Sequence, residues 1–214
     1  MIKRFIWDID GTILDGVFSI EEKLFKDNLS EEDYTKFIGK WFGLLGAYER
    51  RYPKYDIKML SGFLSINTGV HISPELIDEW ANYMINVNEC IHPGAIEVLD
   101  YLNELGIENV IYSNAFTNTQ VGRLKKLGLD SYFKEIRGAD YYMKPSKEGF
   151  LYACGPYKPS ECVMVGDNYD KDILGARNAG LETIYYSPKK DVDVPHIKRL
   201  IKIKEMLEDE YRRD

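Results

Sequence analysis

The rhythm of hydrophobic positions changes twice along the chain. Phe5-Ile6-Trp7 is a short, apolar, β-favouring run that stops at the polar turn Asp8-Ile9-Asp10-Gly11-Thr12. This pattern predicts a buried strand ending in a loop. From about Ser19 to Asn88 the pattern turns helical, and helix-start signals are legible within it: Ser30 with Asp33 three positions on, and Ser73 before Pro74 at the first helical position. No strand is predicted in that block. After Pro93-Gly94 short apolar runs alternate with helical segments. A helix to Leu105 is stopped by Gly106, a strand runs through Asn109 to Tyr112, and a second helix is stopped by Gly128. A short strand near Ile136, a helix around Lys147 to Cys154, the strand Cys162 to Val165, a helix ending at Gly180 and the strand Thr183 to Tyr186 follow.

Such alternation predicts an α/β fold with a Rossmann-like, doubly wound parallel sheet. Residues 1–15 and 92–214 then form the core, and 16–91 are a helical insertion after the first strand whose two ends are the expected hinges. The charged tail from Lys202 to Asp214 is expected to be a solvated terminal helix.

In a parallel sheet, groups placed just after the apolar runs converge on one crevice at the carboxyl ends of the strands. Four such endings carry suggestive residues: Asp8 and Asp10; Ser113 and Asn114; Lys144; and Asp167 with Asp170 and Asp172. Taken singly, each has a plain structural reading as a turn, a helix cap or a solvent-facing lysine. Together they imply more, because several converging carboxylates repel one another unless a hard cation such as Mg2+ neutralises them. An aspartate can attack phosphorus and split one hard displacement into two easier steps. Lys144 can balance the charge of a transferring phosphoryl group, and Ser113 with the Asn114 backbone N–H can donate hydrogen bonds to its oxygens.

Composition narrows the choice of partners. The 214 residues are 44% hydrophobic, enough to bury a core, so disorder is not expected as the main state. A net charge of −7 speaks against a surface built for nucleic acid. Cys90, Cys154 and Cys162 have neither metal-like spacing nor the even count of a disulfide framework, which suits a reducing cytoplasm. The apolar start is broken by Asp8 before it reaches signal-peptide length, and no stretch approaches the roughly 20 apolar residues of a membrane span. A soluble, cytoplasmic chain is expected, with no membrane partner.

The motifs Asp8-Ile9-Asp10-Gly11-Thr12, Tyr112-Ser113-Asn114, Lys144-Pro145 with Phe150, and Gly166-Asp167-Asn168-Tyr169-Asp170-Lys171-Asp172 resemble, in their order, those of the haloacid dehalogenase-like (HAD) hydrolases. The run Ile173 to Gly180 is similar to that family's usual continuation, and the likeness spans the chain outside the insertion. The resemblance implies a site with magnesium as cofactor. In it Asp8 is the nucleophile and a metal ligand; Asp10 is the general acid and base, binding the metal through its carbonyl. It further implies that Thr12 supports the loop, Ser113 and Asn114 bind the phosphoryl oxygens, Lys144 bridges that group to Asp8, and Asp167 ligates the metal. Asp172, preferred to Asp170 on the family's spacing, would hold a metal-bound water or orient Lys144.

Members that cleave carbon–halogen bonds typically lack the second aspartate, so Asp10 favours phosphoester chemistry. The insertion corresponds to the family's helical cap, as in the phosphoglycolate phosphatase and β-phosphoglucomutase-like members. Capped members tend to act on small phosphorylated metabolites. Hydrolysis of a small phosphate monoester is the leading expectation, with sugar phosphates, phosphoglycolate and nucleoside monophosphates all open. A phosphomutase of the β-phosphoglucomutase kind, or a HAD-fold binding protein without turnover, are the alternatives. The insertion's aromatic residues, from Phe18 to Tyr83, are expected to form mostly its own core. Arg50, Arg51, Lys54 and Lys58 read as a solvated face or, less simply, as a site for a second anion. Oligomeric state is not legible.

Overall fold

The computed structural model describes residues 1–17, 20–188 and 192–211. The chain enters through β1 (Arg4–Trp7) and turns into β2 (Leu14–Val17). The helices α1 (Ile20–Asn28), α2 (Glu31–Ile38), α3 (Trp41–Arg51), α4 (Ile57–Thr68) and α5 (Pro74–Tyr83) follow, and then β3 (Asn88–Ile91). From there helix and strand alternate through α6 (Ala95–Glu104), β4 (Glu108–Tyr112), α7 (Thr117–Lys126), β5 (Glu135–Arg137) and α8 (Lys147–Cys154). The chain finishes with β6 (Cys162–Gly166), α9 (Gly175–Ala179), β7 (Glu182–Tyr185) and α10 (Lys202–Tyr211).

Five strands pair in parallel in the order β5-β4-β1-β6-β7. β1 is central because all four of its residues are buried and both of its edges are paired: Trp7 lies opposite Ile111 of β4 and opposite Val165 of β6. Alternation along the strands divides the apolar side chains between two cores. Phe5, Trp7, Ile111 and Val165 pack with Leu99 of α6, Leu124 of α7 and Ile203 of α10. Ile6, Val110 and Met164 pack against Phe150 of α8 and Ala176 of α9. The sheet is therefore doubly wound, with its switch point at β1.

The inserted helices start where their capping residues say they should. Ser30 accepts a hydrogen bond from the Asp33 N–H at 3.1 Å, and Ser73 from the Leu76 N–H at 3.1 Å with Pro74 in the first turn. They enclose a core of their own that includes Phe25, Phe37, Trp41, Tyr48 and Ile77. Phe18, also expected there, lies outside the described residues. The seam with the sheet domain is closed by two backbone hydrogen bonds, Tyr55 N–H to Ala139 O at 2.7 Å and Met143 N–H to Pro53 O at 2.9 Å. Both fall next to Lys144 or on the segment leading to it.

Three features differ from the sequence reading. The ends of the insertion are not bare loops, because β2 and β3 pair in an antiparallel ribbon with Leu14 opposite Ile91. Four-residue strands reading Leu-Asp-Gly-Val and Asn-Glu-Cys-Ile carry no usable period, so tertiary pairing supplies what local preference does not. The helix ending at Gly180 is two pieces, a π-helical turn over Tyr169–Leu174 and then α9. α10 is only partly solvated: Ile203 is fully buried and Leu207 packs on the same core, so residues four apart form an apolar stripe against the sheet domain.

Candidate active site

Register alone brings the ends of β1, β4 and β6 together, and the residues just beyond them meet there. The Asp8 N–H donates to Val165 O at 3.0 Å, which extends the β1–β6 pairing by one residue and fixes where the Asp8 side chain begins. Carboxylate oxygens of Asp8, Asp167 and Asp172 all lie within 4.8 Å of one another. Lys144 Nζ stands between two of these acids, 2.5 Å from Asp8 Oδ1 and 2.6 Å from Asp172 Oδ1. Thr12 Oγ1 donates to Asp8 Oδ2 at 3.3 Å, and the Asn168 N–H to Asp172 Oδ2 at 3.0 Å. The turn after β1 can approach Asp167 only because position 11 is glycine. A Cβ there would fall 2.3 Å from Asp167 Oδ2, and its φ of +85° is in the left-handed region.

Burial and crowding leave this cluster short of positive charge. Burial raises the Asp8 carboxyl to about 8 against the pull of Lys144, with Asp172, Asp10 and Asp167 adding to the rise. Asp167 is raised to about 6, by burial first and then by Asp172. Lys144 is held above the usual lysine range, because Asp172 and Asp8 outweigh the burial that opposes its charge. Three carboxylates against one ammonium leave two negative charges uncompensated when all are ionised, the charge of one divalent cation. Hard oxygen donors with that deficit fit Mg2+.

Asp10 takes a different position from its neighbours. Its side chain is not in the acidic cluster: Arg123 Nη2 is 2.6 Å from Oδ1, and Gln120 Nε2 donates to Oδ2 at 3.2 Å. The same Gln120 amide donates to Ser113 Oγ at 2.8 Å. Arg123 also binds Glu89 of β3, at 3.0 Å through Nε and 2.6 Å through Nη2, so the ribbon strand and Asp10 share one guanidinium. Asn114 is committed through its side chain to the backbone of Lys144, accepting from the Lys144 N–H at 2.7 Å and donating to the Lys144 carbonyl at 3.1 Å. Its side chain thus fixes where Lys144 starts, leaving its N–H for any role toward an anion.

Arg123, Gln120 and Glu89 were not singled out from sequence. Gln120 and Arg123 lie three apart on one face of α7, the helix that follows Ser113-Asn114, and that spacing after a strand-end motif is the signal that could have found them. From Asp10 a cavity of about 220 Å3 runs under the inserted helices, bounded by Glu21, Phe42, Glu49, Tyr55, Trp80 and Phe116 among others. Arg50, Arg51, Lys54 and Lys58 are exposed and do not line it. Lys54 and Lys58 border a separate open groove beside Asp56, Asp78 and Asp140. Asp170 is exposed and outside the acidic cluster, and His92 packs edge-on to Tyr186 with its Nδ1 3.2 Å from the tyrosine hydroxyl.

A doubly wound sheet with an acidic cluster and a lysine at the carboxyl ends of its central strands defines the class: an α/β enzyme working at the sheet's switch point. Residues 2–180 match the model of the haloacid dehalogenase-like hydrolases, and the chain belongs to that family. It is 30% identical to the pyrimidine 5'-nucleotidase PynA of Streptococcus pneumoniae over 202 residues, 87% of this chain and 84% of that one. It is 32% identical to the ribulose-1,5-bisphosphate 5-phosphatase of Halopiger xanaduensis over 118 residues, 53% of this chain but only 48% of that relative's length. The fold is similar to that of the magnesium-bound HAD-hydrolase YfnB of Bacillus subtilis, with a TM-score of 0.72, 24% identity, and coverage of 97% of this chain and 99% of the other. No described helix is long and apolar enough to cross a membrane.

Proposed function

We propose that the chain is a magnesium-dependent phosphatase that hydrolyses a small phosphate monoester through an aspartyl-phosphate on Asp8. The observation that carries this reading is the meeting of Asp8, Asp167 and Asp172 around one point with Lys144 between two of them. The names of the curated relatives, a nucleotidase and a sugar bisphosphate phosphatase, support it.

In the proposed cycle Asp8 attacks phosphorus and the ester oxygen leaves. Asp10 gives that oxygen a proton, then takes one from the water that hydrolyses the aspartyl-phosphate. Lys144 favours the ionised form of Asp8 that attacks, and it balances the transferring oxygens. Ser113 Oγ and the Asn114 N–H bind those oxygens, while Thr12 steadies the Asp8 carboxylate. Magnesium would be held by Asp8, Asp167 and the Asp10 carbonyl, with Asp172 beside them, and would supply neutralisation of the phosphoryl charge. Asp10 must leave Arg123 or turn about it to reach a leaving group, and the shared contact with Glu89 ties that motion to the ribbon. We take the division into core (1–15 and 92–214) and cap (16–91) to fall within this ribbon. The odd count of cysteines in the sequence supports a reducing, cytoplasmic setting.

The test is a panel of small phosphate esters assayed with Mg2+, with EDTA and with Asp8→Asn. Chelation and the substitution are each expected to abolish phosphate release while circular dichroism shows the fold retained. Full activity in Asp8→Asn would remove the covalent mechanism.

A further inference from the structure

The wall of the cavity beyond Asp10 divides into polar side chains that already have partners and apolar ones that do not. Glu49 accepts from the Tyr55 hydroxyl at 2.7 Å and pairs with Lys171. Glu21, 3% exposed, accepts from Trp80 Nε1 at 3.1 Å and has the Trp41 indole beside it. Thr119 Oγ1 donates to Ala81 O at 2.7 Å, the Asn114 side chain is bound to the Lys144 backbone, and Arg123 is shared between Asp10 and Glu89. Apart from Asp10, which the proposed cycle turns to the leaving oxygen, the described lining offers a ligand no uncommitted polar side chain. Its remaining surface is apolar and aromatic: Leu45, Met84, Trp80 and Phe116, the last two an edge-to-face pair with centroids 6.2 Å apart. Phe42 of α3 completes this wall and differs from the other described aromatic residues of the inserted helices. It alone among them is exposed, at 63%, and it neither joins their core nor meets another ring.

A large aromatic side chain left in water on the wall of a cavity that opens at the reacting group is a surface for a ligand to cover. A second anion would enter beside the carboxylates of Glu21 and Glu49, with Arg123 and Lys171 already paired. A polyol would exchange water for Leu45, Met84 and ring faces, leaving its hydroxyls without partners. An uncharged ring loses little on leaving water, buries its faces against those side chains and stacks on Phe42. At about 220 Å3 the cavity is smaller than the ~300 Å3 at which pockets for drug-sized ligands begin, so it suits one ring and not a larger system. We propose that the alcohol portion of the substrate ends in a single uncharged aromatic ring, and that Phe42 is the specificity-determining residue that stacks on it. This inference rests on the phosphatase reading above, at the same site.

The experiment compares phosphate esters of primary alcohols, all assayed with Mg2+: 2-phenylethyl phosphate, its saturated counterpart 2-cyclohexylethyl phosphate, glycerol 1-phosphate as the polyol and phosphoglycolate as the second anion. The phenyl ester is expected to exceed glycerol 1-phosphate in kcat/KM by about tenfold or more, the scale of burying one ring-sized apolar surface. It is also expected to exceed the cyclohexyl ester, with phosphoglycolate lowest. Phe42→Ala is expected to bring the phenyl-to-glycerol ratio toward one, mainly through KM, with little change for glycerol 1-phosphate, and Phe42→Tyr to restore the ratio. Because Phe42 is exposed and outside the core of the inserted helices, these variants are expected to fold, which circular dichroism checks. A wild-type phenyl-to-glycerol ratio at or below one, a cyclohexyl ester that matches the phenyl ester, or a ratio unchanged in Phe42→Ala overturns the proposal. Turnover of any of these esters, or of p-nitrophenyl phosphate, then leaves the phosphatase reading standing; absence of turnover with all of them removes both.

Discussion

Asp8 is held by two opposed influences, a lysine that favours its charge and a buried, acidic surrounding that does not. The net result in the folded chain is a carboxyl raised from 3.8 to about 8, with Asp167 raised to about 6. A raised carboxyl binds protons that the unfolded chain has released, so the pair's contribution to stability in metal-free protein is complete below about pH 4. It is lost as pH rises through 6 and then 8, the two folded values. On the proposed reading, Mg2+ would take the place of those protons. The rise in Tm caused by a fixed Mg2+ concentration is therefore expected to grow between about pH 5.5 and 8; a rise that is flat or shrinks over that interval speaks against a shared cation.

Arg123 supplies a second prediction at this scale, as a positioning residue for Asp10. Arg123→Gln is expected to lower the single-turnover rate of alkyl esters by roughly tenfold to a hundredfold, part of the usual worth of an acid–base group. Aryl esters, whose leaving groups need less protonation, should lose less, and Mg2+ affinity should persist. Equal losses for both ester types would reduce Arg123 to a structural role. Asp8, Lys144 and Asp167 were legible in sequence because each follows a β-like or motif-bearing segment where a parallel sheet places ligands. Arg123 and Gln120 were not, because a helical arginine or glutamine looks the same whether it meets solvent or a partner. Arg123 is 113 positions from Asp10 along the chain, and only packing shows that they touch.

Among the elements, β1 carries most of the organisation. Its apolar run and the turn that follows were readable, since a strand buried on both faces needs an unbroken apolar stretch; its central place in the sheet came only from the pairing. The ribbon was not readable, because strands of four mixed residues gain their pairing from the domains they join. The π-helical turn at Tyr169–Leu174 was also hidden. It is the segment that brings Asp172 back to Lys144, and such wide turns gather at functional sites. The charged sequence of α10 predicts a solvated helix, and its buried stripe at Ile203 and Leu207 gives that difference a direct test. Ile203→Ala is expected to cost ~2–5 kcal/mol in urea unfolding, the range for deleting a fully buried aliphatic side chain. A loss below about 0.5 kcal/mol, typical of surface positions, would return the helix to the solvent-exposed reading.

At the scale of the whole molecule, a net charge of −7 surrounds a site that handles anions. In the proposed cycle the phosphoryl group is met by local features, namely Lys144, backbone N–H groups and a divalent ion, and not by a basic surface. The inserted helices close over these groups through the backbone contacts of Tyr55 and Met143 with Ala139 and Pro53, which leave a cavity of about 220 Å3. Phosphopeptides are accordingly expected to react far more slowly than small esters with comparable leaving groups; comparable kcat/KM values would show that the cap does not select by size. The most direct measurement is a rapid acid quench of enzyme mixed with 32P-labelled ester and Mg2+. Wild-type protein should carry label that hydroxylamine releases and that maps to Asp8, and Asp8→Asn should carry none. Substrate consumed without labelled protein at any quench time, or label that survives in Asp8→Asn, would contradict a phosphoryl group carried by that aspartate.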